Sequence, residues 1–193
     1  MPGDVPPVAD EKSGLLAFLA QQRDALRYAA YGLTDVQARA TPSASSLSVG
    51  GLIKHAASTE RGWIDTILQR GPASLSEGMD DYMANFRLGP DETLEDAYAK
   101  LAEAARETED VIAAIADLGQ PVPVPDAPWH PKDVDAWSVR WVLLHLIEET
   151  ARHAGHADIV RESIDGATSI ELMAAAEGWP ASDWVTPWEP PSP

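Results

Sequence analysis

Three of the chain's five histidines fall in the stretch HLIEETARHAGH, His145 to His156, with Glu148 and Glu149 between them. Imidazole nitrogens and carboxylate oxygens bind divalent metals and carry protons near neutral pH. The first question is whether these side chains share one face. Helical residues advance about 100° each. With His145 as zero, Glu149 falls at about +40°, His153 at about +80° and His156 at about +20°. Val142 and Val160 lie inside the same stripe, and Trp141 and Ile159 flank it. Glu148, Arg152 and Glu162 fall toward its edge or beyond. Ionisable groups on a core-facing stripe must be paired, hydrogen-bonded or metal-bound, because burying them alone is costly.

Spacing narrows the chemistry. Glu149 and His153 are four apart, so both side chains reach one point above a helix. A second apolar segment contributes His55, with Leu52, Thr59 and Trp63 on nearby azimuths. Two ligands from one helix and one from another form a three-ligand site with open positions, the arrangement of a catalytic metal rather than a closed structural one. The pattern is neither HExxH nor the paired Glu-x-x-His of di-iron bundles. His145 reads as a core group or as one that orients Glu149 or another ligand. His130, in a proline-rich stretch, reads as an ordinary surface or hydrogen-bonded histidine. Glu60 and Glu148 read as solvated or salt-bridged.

Helices must position these residues. The spacing predicts a helix from Glu11 to about Gly32 and a polar connector, TDVQARATPSASS. A second helix follows, N-capped by Ser48 and stopped by Gly71 and Pro72. GPASLSEGMDDYMANFRLGP reads as loop. Three-four spacing from Thr93 to Leu118 and the capping-box start TLED mark a third helix. GQPVPVPDAPWHPKDVD is too proline-rich for regular structure. A long helix runs from about Ser138 to Asp165, ended by Gly166, and a short one from Ser169 to Glu177 leads into a Trp- and Pro-rich tail. No alternation of period two stands out. The expected fold is all-α, a four-helix bundle with long Pro- and Gly-rich loops. Residues 1–10 are expected to be disordered, 11–178 to form one domain, and 179–193 to be a tail that packs on the bundle or on a neighbouring subunit.

Composition limits the partners. The 193 residues suffice for one domain with a core, and 45% are hydrophobic. A net charge of −17 repels phosphate backbones and anionic lipid, so neither nucleic acid nor membrane is an expected partner. No apolar run approaches a membrane span, and MPGDVPPVADEKSG lacks the marks of a signal peptide, so a cytoplasmic protein is expected. With no cysteine, any thiol chemistry must use a thiol brought by a small molecule.

GLIKHAASTERGW and WSVRWVLLHLIEETARHAGHADIVRESIDG resemble the DinB-like superfamily, and within it an actinobacterial branch. That superfamily also holds bacterial thiol S-transferases and the mycothiol-dependent maleylpyruvate isomerase. The resemblance spans about Lys12 to Gly166 and implies a four-helix bundle with a divalent metal on three side chains: His55, and the Glu-x-x-x-His pair Glu149 and His153. Where the superfamily has His-x-Gly-Gln, this chain has His153-Ala-Gly-His156, so His156 stands in place of the usual glutamine.

The resemblance favours transfer of a low-molecular-weight, mycothiol-like thiol to a small electrophile. His156 or His145 would serve as proton acceptor or orienter. Zinc is the expected ion, although nickel, manganese, iron or cobalt suit the same donors. Superfamily habit suggests a homodimer. Three other readings stay open: a metal-binding or stress-response bundle without catalysis, a metal-dependent hydrolase, and a plain bundle whose histidines satisfy one another in the core.

Overall fold

The computed structural model describes residues 3–70, 83–127 and 130–190. Among these residues, six helices and one short hairpin follow one another: α1 (Glu11–Ala29), α2 (Asp35–Arg39), α3 (Val49–Leu68), α4 (Leu94–Ala114), β1 (Pro121–Pro123), β2 (Ala136–Ser138), α5 (Val139–Asp165) and α6 (Ser169–Ala176). The four long helices, α1, α3, α4 and α5, form the expected all-α bundle. α3 packs on α4 and α1 on α5, and α3 also meets α5. No helix of the described residues is long and apolar enough to cross a membrane.

Local chemistry sets the helix starts. The Asp10 carboxylate accepts from Ser13 N–H at 2.9 Å, Ser48 Oγ from Gly51 N–H at 3.3 Å and Ser138 Oγ from Trp141 N–H at 3.1 Å. Each satisfies a donor that the first turn leaves without an intrahelical partner. Thr93 and Asp96 form a reciprocal capping box at the start of α4. α5 ends on Gly166 in the left-handed region, φ 79°, as the sequence predicts.

Helix ends depart from expectation. α3 stops at Leu68, before Gly71 and Pro72, because Gln69 takes up φ 52° and its N–H turns back to Asp65 and Thr66. α1 ends at Ala29 and α4 at Ala114, each a few residues early, with Ile115 already extended.

Two stretches read as irregular are ordered. The connector after α1 holds α2, started by a Thr34–Gln37 capping box. The proline-rich stretch supplies β1, which pairs antiparallel with β2 in the register Pro121↔Ser138, Val122↔Trp137, Pro123↔Ala136. Prolines lack a ladder donor but are tolerated on an edge, and every strand of a two-stranded ribbon is an edge. Val122 is fully buried and anchors the ribbon. Of the stretch read as loop after α3, residues 71–82 lie outside the described residues.

Buried apolar side chains form two clusters. One gathers Leu26, Leu52, Ile53, Leu94, Leu101, Ala157 and Val160; the other gathers Leu19, Ile64, Ile112, Val142, Leu143 and Leu146. Val142 and Val160 are buried as the azimuths require, but Trp141 is 37% and Ile159 58% exposed. The histidine stripe of α5 therefore runs along the margin of the buried face. In the tail, Trp188 packs over the Arg161 guanidinium, 4.8 Å from its ring centre, and edge-on to Tyr31.

Candidate metal centre

His55 on α3 and Glu149 and His153 on α5 meet at one point, with one ligand atom from each within 4.8 Å of the others. His55 Nε2 lies 3.3 Å, and His153 Nε2 3.2 Å, from the same Glu149 Oε1. Two donors at 2.0–2.1 Å from a tetrahedral ion stand about 3.3 Å apart, so these separations fit an ion placed between them. His55 is 3% and His153 9% exposed. Glu149 is half-buried and keeps one side of the cluster accessible. Hydrogen bonds from His153 first, and then from His55, hold the Glu149 carboxyl well below the usual carboxylate range. It is therefore an anion at neutral pH, the state a metal ligand needs. Two imidazoles and one carboxylate are a donor set that fits a divalent ion.

The helices explain the convergence. Glu149 and His153 sit one turn apart on α5, and α3 packs on α5 with His55 opposite them. Thr59, one turn along α3, places its hydroxyl 3.3 Å from His55 Nε2.

Sequence reasoning missed the wall behind the triad. The Phe86 ring stacks on His55 with centroids 3.8 Å apart and 20° between planes, and meets His153 edge-on at 5.7 Å. Phe86 belongs to the stretch read as loop, where no periodicity points to it. The one available signal was Gly51, at which a side chain has no room. A Cβ there would lie 2.0 Å from the Phe86 carbonyl oxygen. Gly51→Ala should displace the Phe86 segment and weaken metal binding by about 10–100-fold, the effect usual for losing support around a ligand. Calorimetric metal titration checks this, with Gly62→Ala as control, because a Cβ at Gly62 meets nothing within 4 Å.

Glu92 fastens the same segment. Its carboxylate accepts from Lys54 Nζ at 2.6 Å, from Gly89 N–H at 2.8 Å and from Lys100 Nζ at 2.9 Å. The Lys54 hydrogen bond is the main cause that lowers the Glu92 carboxyl from 4.5 to about 2. A carboxyl depressed in the folded state adds stability above its unfolded value and loses it as pH falls through the folded one. Glu92→Gln should therefore be less stable than the parent at pH 7, by a gap that shrinks below about pH 4.5 and closes near pH 2. Urea midpoints across that range measure it.

The other sequence candidates flank the triad without joining it. His145 lies one turn before Glu149. Its ring stacks on Trp141 at 5.1 Å and meets Trp63 edge-on at 5.0 Å, while Nδ1 is 3.7 Å from Glu148. The His156 ring is 5.6 Å from that of His153, and its buried Nδ1 has no hydrogen-bond partner among the described residues. His130 Nδ1 is 2.9 Å from the Pro125 carbonyl oxygen. Glu60 is salt-bridged to Arg23 and Glu148 to Arg152, in keeping with their sequence reading.

Comparison with known proteins bears on the family and the fold. A family model described as mycothiol-S-transferase matches residues 14–166. The crystal structure of a conserved protein from Enterococcus faecalis superposes with a TM-score of 0.62 at 17% identity, covering 83% of this chain and 100% of that one. At that identity the likeness speaks for the fold alone. No curated protein matches.

Proposed function

The chain belongs to the mycothiol S-transferase family of DinB-like bundles, and from that premise we propose that it transfers a low-molecular-weight thiol, mycothiol or a close analogue, to a small electrophile. His55, Glu149 and His153 would hold the divalent ion, zinc first among the candidates. The observation that carries this reading is the convergence of two imidazole nitrogens and one anionic carboxylate from two helices. When bound, such an ion lowers the pKa of a thiol that reaches it, so that the sulfur is nucleophilic near neutral pH.

The chain's own residues have simpler tasks. α3 and α5 hold the three donors rigidly, and Phe86 closes the His55 side against water. The sulfur forms a bond to the electrophilic carbon, and the leaving group departs with its bonding pair. The thiol proton goes to His145 or His156, the two imidazoles that flank the triad. The chain has no cysteine to compete with the incoming thiol. A cytoplasmic setting, where small thiols are kept reduced, suits the reaction.

Metal-loaded, untagged protein incubated with mycothiol and either iodoacetamide or 4-nitrobenzyl chloride should consume both reactants faster than they react without protein. A His55→Ala, His153→Ala double variant should turn over at least about 100-fold more slowly. A parent that holds one equivalent of metal yet adds nothing to the uncatalysed rate would point instead to the non-catalytic binder. Thiol-independent cleavage of an activated ester would point to the hydrolase.

A further inference from the structure

The metal triad does not account for an extended aromatic assembly among the described residues. Trp137 on β2 and Trp141 and His145 on α5 form a continuous stack. The first pair has centroids 4.3 Å apart and planes 4° apart, the second 5.1 Å and 17°. Trp63 on α3 stands across this stack, with interplanar angles of 60°, 61° and 74° to its three rings and distances of 5.0 to 5.6 Å. His130 meets Trp137 edge-on at 5.1 Å. These rings lie at the margin of the core: Trp63 packs against one core cluster, Trp141 is 37% exposed, and Trp63, Trp137, His130 and His145 are each half-buried. Tryptophan is enriched at interfaces, and exposed apolar patches mark binding surfaces.

Their position relative to the triad is set by helix periodicity. Along α3, His55, Thr59 and Trp63 are spaced four apart; along α5, so are His153, Glu149, His145 and Trp141. Both series climb one face, and the ring contacts between Trp63 and both Trp141 and His145 show that the two faces remain opposed above the triad. Successive tiers are separated by about 6 Å, four residues at 1.5 Å each. The aromatic wall therefore begins one tier from Glu149, on the side where Thr59 rather than Phe86 borders His55.

We propose that this wall is the electrophile subsite and that it takes an uncharged aryl compound, a flat ring carrying its reactive carbon on a short arm. The proposal rests on the thiol-transfer reading for the reactive carbon, but not for recognition of the ring. Three indoles and two imidazoles offer their exposed edges for edge-to-face packing with a flat ring. The net charge of −17 disfavours an anionic substrate. A cationic ligand would need aromatic faces converging on one point. Here the parallel rings face one another, and Glu148 is already engaged by Arg152 at 2.6 Å.

Binding of 4-nitrobenzyl alcohol, an unreactive aryl probe, to the metal-loaded protein tests the assignment by calorimetry without any thiol. The parent should bind it. Trp141→Ala should weaken binding about tenfold, given the usual strength of an aromatic pair together with its buried area. Trp141→Phe should restore most of the loss. Trp184→Ala, in the tail, should leave it unchanged; Trp184 packs on Trp179, away from this wall. The proposal is overturned if the parent does not bind the probe, if Trp141→Ala binds it equally well, or if cyclohexylmethanol or choline binds as tightly.

The two readings fail separately. Trp141-dependent binding in a protein that transfers no thiol would keep the aryl subsite and remove the transferase. Transfer to iodoacetamide and 4-nitrobenzyl chloride alike, insensitive to Trp141, would keep the transferase and overturn the subsite.

Discussion

Replacing His153 with alanine should take the protein from about one equivalent of divalent metal to nearly none. His153 supplies one of the three side-chain donors found among the described residues. Loss of a group that merely supports a ligand already costs about 10–100-fold in affinity, and loss of the ligand itself costs more. The fold should survive. His153 Nδ1 has no hydrogen-bond partner among the described residues, so truncation strands no polar group there. Glu149 keeps the contact from His55 at 3.3 Å. Elemental mass spectrometry of untagged protein measures the metal directly.

A thermal scan gives an independent reading. An ion at 100 times its dissociation constant stabilises the state that binds it by about 2.7 kcal/mol. Added zinc should therefore raise the parent's Tm and leave that of His153→Ala unmoved. A variant that keeps a full equivalent of metal would show that the triad is not the site.

The second large effect concerns stability rather than metal. Glu60→Ala should cost about 3–5 kcal/mol, the usual result of removing one partner of a buried ion pair. Arg23 and Glu60 are 5% and 3% exposed. Arg23 Nε and Nη2 donate to the two Glu60 oxygens at 3.0 and 2.6 Å, and the Thr108 hydroxyl donates to the same carboxylate. One carboxylate thus links α1, α3 and α4 at mid-bundle. Among the described residues, its loss leaves a buried guanidinium with Glu109 as its remaining ion-pair partner, 3.7 Å away and 55% exposed at its side chain.

In a domain of this size, each kcal/mol shifts Tm by about 2–4 °C, so the fall should be at least about 6 °C. The double change Arg23→Met, Glu60→Leu should recover most of it, because an apolar pair removes both charges together. A single variant that melts with the parent would mean that water reaches Arg23.

The sequence reading went furthest where the determining physics is local. The four-residue step from Glu149 to His153 puts both on one side of any helix that contains them. The capping box at Thr93, the cap at Ser48 and the stop at Gly166 lie within a few residues of the groups they satisfy. The reading of TDVQARATPSASS as a plain connector overlooked the Thr34–Gln37 box, which was legible but short. The hairpin in the proline-rich stretch was not legible. Each strand has three residues, and the pairing of Val122 with Trp137 depends on where Val122 is buried.

The sequence by itself determined an all-α bundle, the positions of its four long helices, and a stripe of imidazole and carboxylate groups that could not be buried without partners. Only the tertiary structure decided which groups become partners. It brought His55 to Glu149 and His153 while leaving His145 among tryptophans and His156 beside the triad, although the azimuths put His145 and His156 in the same stripe. It also laid Phe86 over His55, paired Arg23 with Glu60 and stacked Trp137 on Trp141. The physical reason is that periodicity sets the direction of a side chain from its own helix, whereas contact across helices depends on their relative register. That register follows from the packing of the whole core and from close approaches such as Gly51 against the Phe86 carbonyl.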